Sequence, residues 1–551
     1  MADKRRSSRK QANLIVQGGV MAVTSLLVNA CVLFCRIPLT VLWGDEGNGI
    51  YAAAYGGFFV FWLVSAYAVP VAVSGLLKSR LKRGQNQGAG MVIKIAFLYA
   101  AIVGLALSAL LFLGSDYIAA HILPEPLAVL PIRVLSPALL FMSLSSVLRG
   151  FFLGSGAGFP VMLSFILEQV GAVSGGILLA HIQEGYGIMV GALLQNESFS
   201  RSYAVMGFAG GISAGSLLAF LFLLGIYLLS HGYYKKRKGK GTGRKESGAQ
   251  VIAAFFIALF PLILYGILTK GYVVVQQICF RLLMEDRMGR GTITLQWGMY
   301  DGKYKVLTMV PVLLATVMGF AVRERVHILC RRENQAGLRD FTQAALKAAM
   351  VIVTPLAVMV GTLGVPILNT CFSGQDTKVV SQLLLTGFIT AVFFSAAWLL
   401  AEMLFGMGYV MPVLLGGIGA FALHLGAIYV MIQILELDLS GVLYGDILYS
   451  FLLLLFIGSA AKKRCGFRGS LLRSMLAPLI ASAIMGGILY LLARVLTEVL
   501  PAGVLLAILA AVGMMIYILA LLLLRGVTER ELRLAPGGTW ILAVGKALRM
   551  L

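Results

Sequence analysis

Apolar residues run through this chain in long blocks, and polar residues fall in short clusters between them. A helix needs roughly 20 apolar residues to cross a hydrocarbon core of ~30 Å. By that measure the blocks predict about 14 spans, near 13–42, 48–77, 89–113, 127–153, 160–181, 203–230, 250–283, 298–322, 341–365, 379–405, 412–434, 441–460, 475–496 and 502–525. The stretch 182–202 fits no span and reads as an outer loop with an interfacial helix. No stretch has the short apolar/polar alternation of a membrane β-barrel. The expected fold class is therefore an all-α polytopic membrane protein.

One pattern between blocks occurs twice. Gly154-Ser155-Gly156-Ala157-Gly158-Phe159-Pro160 separates two apolar runs, and Gly406-Met407-Gly408-Tyr409-Val410-Met411-Pro412 does the same 252 positions later. Both read as helical hairpins, with Pro160 and Pro412 in the opening turn of the next helix, where a missing N–H costs least. A carboxylate accompanies each: Glu168 follows the first turn and Glu402 precedes the second. The repeat implies two related halves. We divide the chain into an N-terminal lobe of six spans (1–230), a linker (231–249), a C-terminal lobe of six spans (250–460) and a remainder with two further spans and a tail (461–551).

Composition agrees with the pattern. Of 551 residues, 59% are hydrophobic and 12% charged, with a mean hydropathy of +0.91, which excludes a soluble globular chain. The 64 glycines suit helices that approach closely in lipid. The net charge of +22 does not point to nucleic acid. Of 45 Lys and Arg, 34 fall on the side that the span order makes internal, as the positive-inside rule requires. Both termini and the linker are then cytoplasmic, with the protein in the cell membrane. The linker carries Lys235, Lys236, Arg237, Lys238, Lys240, Arg244 and Lys245 among glycines. It should be flexible and able to touch anionic lipid. The six cysteines form no CxxC and read as small apolar residues. Neither a nucleophile elbow, a zinc-protease motif, a Walker A loop nor a dinucleotide turn is present. The chain reads as a non-enzyme with no metal or cofactor, and ATP is not its direct fuel.

Charges inside spans are costly, by about 2.5–3.5 kcal/mol each on insertion scales, so each needs a partner, a cavity or a task. Ser25, Asn29, Arg36 and Thr40 share one face of the first span; Arg36 either faces a cavity or snorkels to an interface. Pro38 is expected to kink that helix. Trp43-Gly44-Asp45-Glu46-Gly47-Asn48-Gly49 reads as an outer turn. Ser164, Glu168, Gly171 and Gly175 share a face, as do Gly266, Lys270, Gln277 and Arg281. Asp301 and Lys305 are four apart and placed to pair. Together Arg36, Lys270, Arg281, Lys303 and Lys305 would make a cationic chamber suited to phosphate. His424 and Asp446 read as structural. Glu168, Asp301 and Glu402 are the coupling candidates, and Pro38, Pro70, Gly154, Pro160, Pro311, Gly406 and Pro412 the candidate gate and hinge positions.

The chain resembles the polysaccharide-biosynthesis branch of the multidrug/oligosaccharidyl-lipid/polysaccharide flippase superfamily, the branch of stage V sporulation protein B and MurJ-like lipid II flippases. The resemblance rests on Arg36-Ile37-Pro38 with Gly44 to Tyr51, on Val69 to Ser74, on Ser136-Pro137-Ala138, on Arg149 to Gly154 with Pro160 and Glu168-Gln169, and on Gly298 to Tyr304 with Pro311. It implies two pseudo-symmetric six-helix lobes around a V-shaped cavity, plus two C-terminal helices. It implies alternating access for undecaprenyl-pyrophosphate-linked sugars such as lipid II, with Arg36 on the pyrophosphate; Asn29, on the same helix face as Arg36, is a further candidate cavity residue. Coupling would use a monovalent cation or the membrane potential. The implied partners are the lipid-linked oligosaccharide and membrane lipid, and a monomer is expected. A proline-serine turn usual after Pro311 is replaced by Ala321-Val322-Arg323-Glu324-Arg325-Val326-His327. Two alternatives therefore stand beside the flippase: a cation-coupled multidrug-type exporter, and a transport-inactive paralogue that scaffolds envelope or spore assembly.

Overall fold

A computed structural model describes residues 2–238, 246–373, 377–465, 471–496 and 500–527. Among these the regular structure is helical, without strands, as lipid demands of a backbone with no water to bond. The main helices are α1 (Ala2–Trp62), α2 (Val69–Lys82), α3 (Asn86–Leu113), α4 (Val129–Ser155), α5 (Gly158–Leu194), α6 (Ser198–Lys238), α7 (Gly248–Lys270), α8 (Tyr272–Met284) and α9 (Arg290–Met299). They continue as α10 (Val306–Arg331), α11 (Gln335–Thr362), α12 (Lys378–Gly406), α13 (Met411–Tyr429), α14 (Asp438–Cys465), α15 (Leu471–Leu496) and α16 (Ala502–Leu523). Thirteen described segments are long and apolar enough to cross a membrane. Twelve fall one for one on the predicted spans from 89–113 onward, and the thirteenth, Leu26–Lys82, takes in the first two.

The joint between those two is Gly44. A straight helix of 61 residues would be about 90 Å long, some three hydrocarbon cores. Gly44 interrupts it with φ 70° and ψ −172°, a conformation open to glycine. The Asn48 amide fixes the joint. Its oxygen accepts from Trp43 Nε1 at 3.0 Å and lies 3.2 Å from Thr40 Oγ1, and its nitrogen lies 3.1 Å from the same hydroxyl. Pro38 lies within the helix, and the break falls further on at Gly44, beside this buried amide cluster. The glycines of this stretch also admit a neighbour. A Cβ on Gly49 would lie 2.0 Å from the Thr294 carbonyl, and one on Gly298 1.7 Å from that of Asp45. What reads as an acidic loop is thus a packed crossing with α9.

The repeated turn is a repeated structure. Gly156 has φ 88° and Gly408 φ 87°. Ala157 N–H donates to Phe152 O at 2.8 Å, and Tyr409 N–H donates to Leu404 O at 2.9 Å, the six-to-one bond of a Schellman cap. Two residues earlier, a Cβ on Gly154 would lie 2.6 Å from the Leu77 side chain, and one on Gly406 2.7 Å from Arg323 O. Each hairpin therefore closes against the helix two spans before it.

The stretch 182–202 corrects the sequence reading. Helix α5 continues to Leu194, three residues turn, and α6 begins at Ser198. Glycines explain the continuation. Cβ atoms at Gly187, Gly207, Gly211 and Gly215 would lie 2.2–2.7 Å from atoms of the facing helix, so the two backbones run in contact and carry His181 and Glu184 along as helical surface.

Contacts divide the chain into two compact units, one of Met1–Gly302 with Leu425–Val442, the other of Lys303–His424 with Leu443–Leu551. In the first, Arg287 donates to Ile432 O at 3.0 Å and to Gln433 O at 3.2 Å, and Gln276 to Val442 O at 3.1 Å, which holds residues 425–442 in place. The linker proposed at 231–249 lies partly outside the described residues, as does the C-terminal tail.

Candidate functional site

Arg36 is the centre of the site. It lies in α1, 8% exposed. Its Nη2 donates to Asp301 Oδ2 at 2.9 Å, and its guanidinium carbon stands 4.2 Å from the centroid of the Tyr51 ring. One carboxylate and one aromatic face thus balance a cation that the bilayer would otherwise expel. Asp301 reaches it from the π-helical segment Tyr300–Lys305, where Gly302 lets the Asn48 side chain approach. The expected Asp301–Lys305 pair does not form. A π turn takes more than four residues, so side chains four apart are no longer aligned; Asp301 bonds Arg36 and Lys305 bonds Asp446. Asn29 and Ser25 have side chains outside those described.

Gly266, Lys270, Gln277 and Arg281, on α7 and α8, meet the stretch after the Gly44 joint. A Cβ on Gly266 would lie 2.8 Å from the Tyr67 ring, and Lys270 Nζ is 5.7 Å from the centroid of that ring. Gln277 bonds the Ala52 and Ala53 backbone at 3.1 and 3.0 Å. Arg281, 1% exposed, donates to Glu125 Oε2 at 2.8 Å, Thr294 Oγ1 at 3.2 Å and Gly49 O at 3.1 Å. Its charge is answered by Glu125, which also accepts from the Thr294 hydroxyl. Arg281 therefore ties α8 to Gly49, Glu125 and Thr294.

Glu168 is paired as well. Arg149 Nη2 bonds its carboxylate, Arg149 Nε donates to Ser164 Oγ at 3.1 Å, and the guanidinium lies 3.8 Å from the Phe165 centroid. Arg149 and Glu168 are 6% and 7% exposed. The pair ties α4 to α5 behind the first hairpin.

The second unit has its own polar interior. Lys305 bonds Asp446, which is 0% exposed. His424 Nδ1 lies 3.0 Å from Gly445 O, and its ring stands 5.0 Å from that of Tyr449. Lys303, fully buried, is 5.7 Å from the Phe372 centroid. Glu402 is 3.5 Å from Arg323 Nη1, so Arg323 answers a buried carboxylate. Of the five cations expected to line a chamber, Arg36, Lys270 and Arg281 belong to the first unit and Lys303 and Lys305 to the second. Pro70 sits in the first turn of α2, Pro160 in that of α5, Pro412 in that of α13, and Pro311 inside α10.

Sequence reasoning overlooked a row of rings. Tyr51, Tyr55, Phe59, Trp62 and Tyr67 stand in succession with centroids 5.4, 5.8, 5.3 and 5.5 Å apart. Their spacing of 4, 4, 3 and 5 is the signal that could have found them.

No family model matches the chain. It is similar to stage V sporulation protein B of Bacillus subtilis (strain 168), 27% identical over 188 residues, 34% of either chain. It is similar to the lipid II flippase MurJ of the same organism, 21% identical over 357 residues, 62% of either chain. The chain thus spans about a third of the length of its sporulation relative. Its fold matches that of a lipid II flippase MurJ in an inward closed conformation, with TM-score 0.61, 14% identity and coverage of 90% of this chain and 97% of that one. It also matches an inward-facing multidrug resistance MATE family transporter of the MOP superfamily, with TM-score 0.61, 15% identity and coverage of 81% and 98%. The fold is that of MOP-superfamily transporters in a multi-pass membrane protein, and the relatives named by activity are a flippase and transporters rather than enzymes.

Proposed function

We propose that this chain is a flippase, moving undecaprenyl-pyrophosphate-linked sugars, lipid II or a related polysaccharide precursor, across the cytoplasmic membrane by alternating access. The observation that carries the reading is the Arg36–Asp301 pair on the Tyr51 ring. A diphosphate entering beside Arg36 offers two charged oxygens to the guanidinium fork, against the single oxygen that Asp301 supplies, and bidentate pairing is the stronger bond. Asp301, once displaced, is an uncompensated carboxylate in lipid and must take a proton or another cation. Substrate entry and ion uptake would thereby be one event. Export of an anion from a negative interior is further aided by about 2.3 kcal/mol per charge per 100 mV.

The sequence likeness to a lipid II flippase supports this reading. The exporter reading is supported by an equal fold likeness to a multidrug transporter. Binding of lipid II and of ethidium to purified protein separates them. We expect lipid II to bind, Arg36→Ala to weaken it at least tenfold, and ethidium to bind poorly. Tight ethidium binding without lipid II binding would favour the exporter, and binding of neither ligand the transport-inactive scaffold.

A further inference from the structure

We propose that the row Tyr51–Tyr55–Phe59–Trp62–Tyr67 is a saccharide track, the surface along which the glycan of the carried lipid passes; the proposal rests on the flippase reading. Four neighbouring ring pairs lie 5.3–5.8 Å apart, the first three stacked at interplanar angles of 12–29°. The sixteen steps from Tyr51 to Tyr67 cover roughly 24 Å at helical rise, most of a ~30 Å hydrocarbon core.

The backbone keeps the row straight. Steps of 3 and 4 hold a side chain on one face of an α-helix, but Trp62 to Tyr67 is a step of 5. The π turn falls on Leu63–Tyr67, where a wider turn brings a fifth residue back to the same face. The irregularity therefore serves the ring at its end. Gly266 opens the space that this ring occupies, since a Cβ there would lie 2.8 Å from Tyr67.

Burial shows which face is available. On the same helix Ala52, Ala53, Ala54 and Phe58 are 0–7% exposed, whereas the five rings are only half-buried. Tyr51, Tyr55 and Trp62 pack one side against a buried cluster and Tyr67 packs against another, so each of them leaves only part of its surface open to a ligand. A sugar in a membrane needs its apolar C–H face covered and its hydroxyls met by polar groups, and tyrosine offers a ring and a phenol together.

Charge selects the occupant. Arg36 stands over the first ring at 4.2 Å and Lys270 over the last at 5.7 Å. A lipid diphosphate that took the place of Asp301 on Arg36 would set its attached glycan beside the first ring. The ligand class is thus a saccharide borne on a pyrophosphate lipid.

The test compares lipid II with sugar-free undecaprenyl pyrophosphate on purified full-length protein. Tyr55→Ala and Phe59→Ala should each weaken lipid II about tenfold and leave undecaprenyl pyrophosphate unchanged, while Phe59→Trp retains both. Equal loss of both lipids, or no loss of either, overturns the track and leaves the flippase standing. Failure of the wild type to bind either lipid overturns the flippase reading itself. A readout on the wild type guards against variants that fold badly: the fluorescence of Trp62, isolated by subtracting Trp62→Phe, should shift with lipid II and much less with undecaprenyl pyrophosphate. A signal equal for both lipids contradicts the track.

Discussion

A single buried arginine is costly in lipid, and its immediate partners decide what it can do. Arg36 is held by Asp301 and Tyr51, groups that a diphosphate can replace or share. We expect Arg36→Ala to insert normally and lose complementation of a flippase-deficient strain. Arg36→Lys should recover only part of it, because an ammonium lacks the planar fork. The Arg149–Glu168 pair is of another kind, closed off by Ser164 and Phe165. Arg149→Ala should lower the melting temperature sharply, since breaking a buried pair costs about 3–5 kcal/mol, while Arg149→Met with Glu168→Leu should regain most of it. Thermal unfolding in detergent measures both. Arg36 was legible in the sequence from its polar stripe. Its partner was not, because Asp301 lies 265 residues away and a π turn upset the four-residue spacing. Asp446 read as an isolated structural acid for the same reason, as Lys305 is 141 residues distant.

At the scale of elements, glycine does two separate jobs. At Gly408 nothing lies within 4 Å of the Cβ position, and φ is 87°, so the turn conformation alone is at stake. Gly408→Ala should cost about 1–2 kcal/mol, the left-handed penalty for one L-residue, and Gly408→Asn less. At Gly211 a Cβ would lie 2.2 Å from the Gly176 backbone, so any side chain would separate α5 from α6. Melting temperatures should rank Gly211→Leu well below Gly408→Ala. The turns could be read in advance because Gly-x-Gly-x-x-x-Pro encodes backbone angle and helix start locally. The length of α5 could not, because its polar residues at 181–184 resemble a loop until α6 is packed beside them.

For the whole molecule, the order of spans was legible because apolar length is a local property. The pairing of distant charges was not. The fourteen crossings expected from the sequence would put both ends and the 231–249 stretch on one side, which their basic residues would make the cytoplasm. A Lys240→Cys protein should react with a membrane-impermeant maleimide only after permeabilisation, and labelling in intact cells would refute that topology. Movement of a lipid-linked saccharide is measured directly by translocation of fluorescent lipid II in proteoliposomes. The wild-type protein should move it well above the protein-free rate, and Arg36→Ala should fall at least tenfold. A wild-type rate no higher than that of empty liposomes, or an Arg36→Ala rate equal to wild type, would contradict the proposed function.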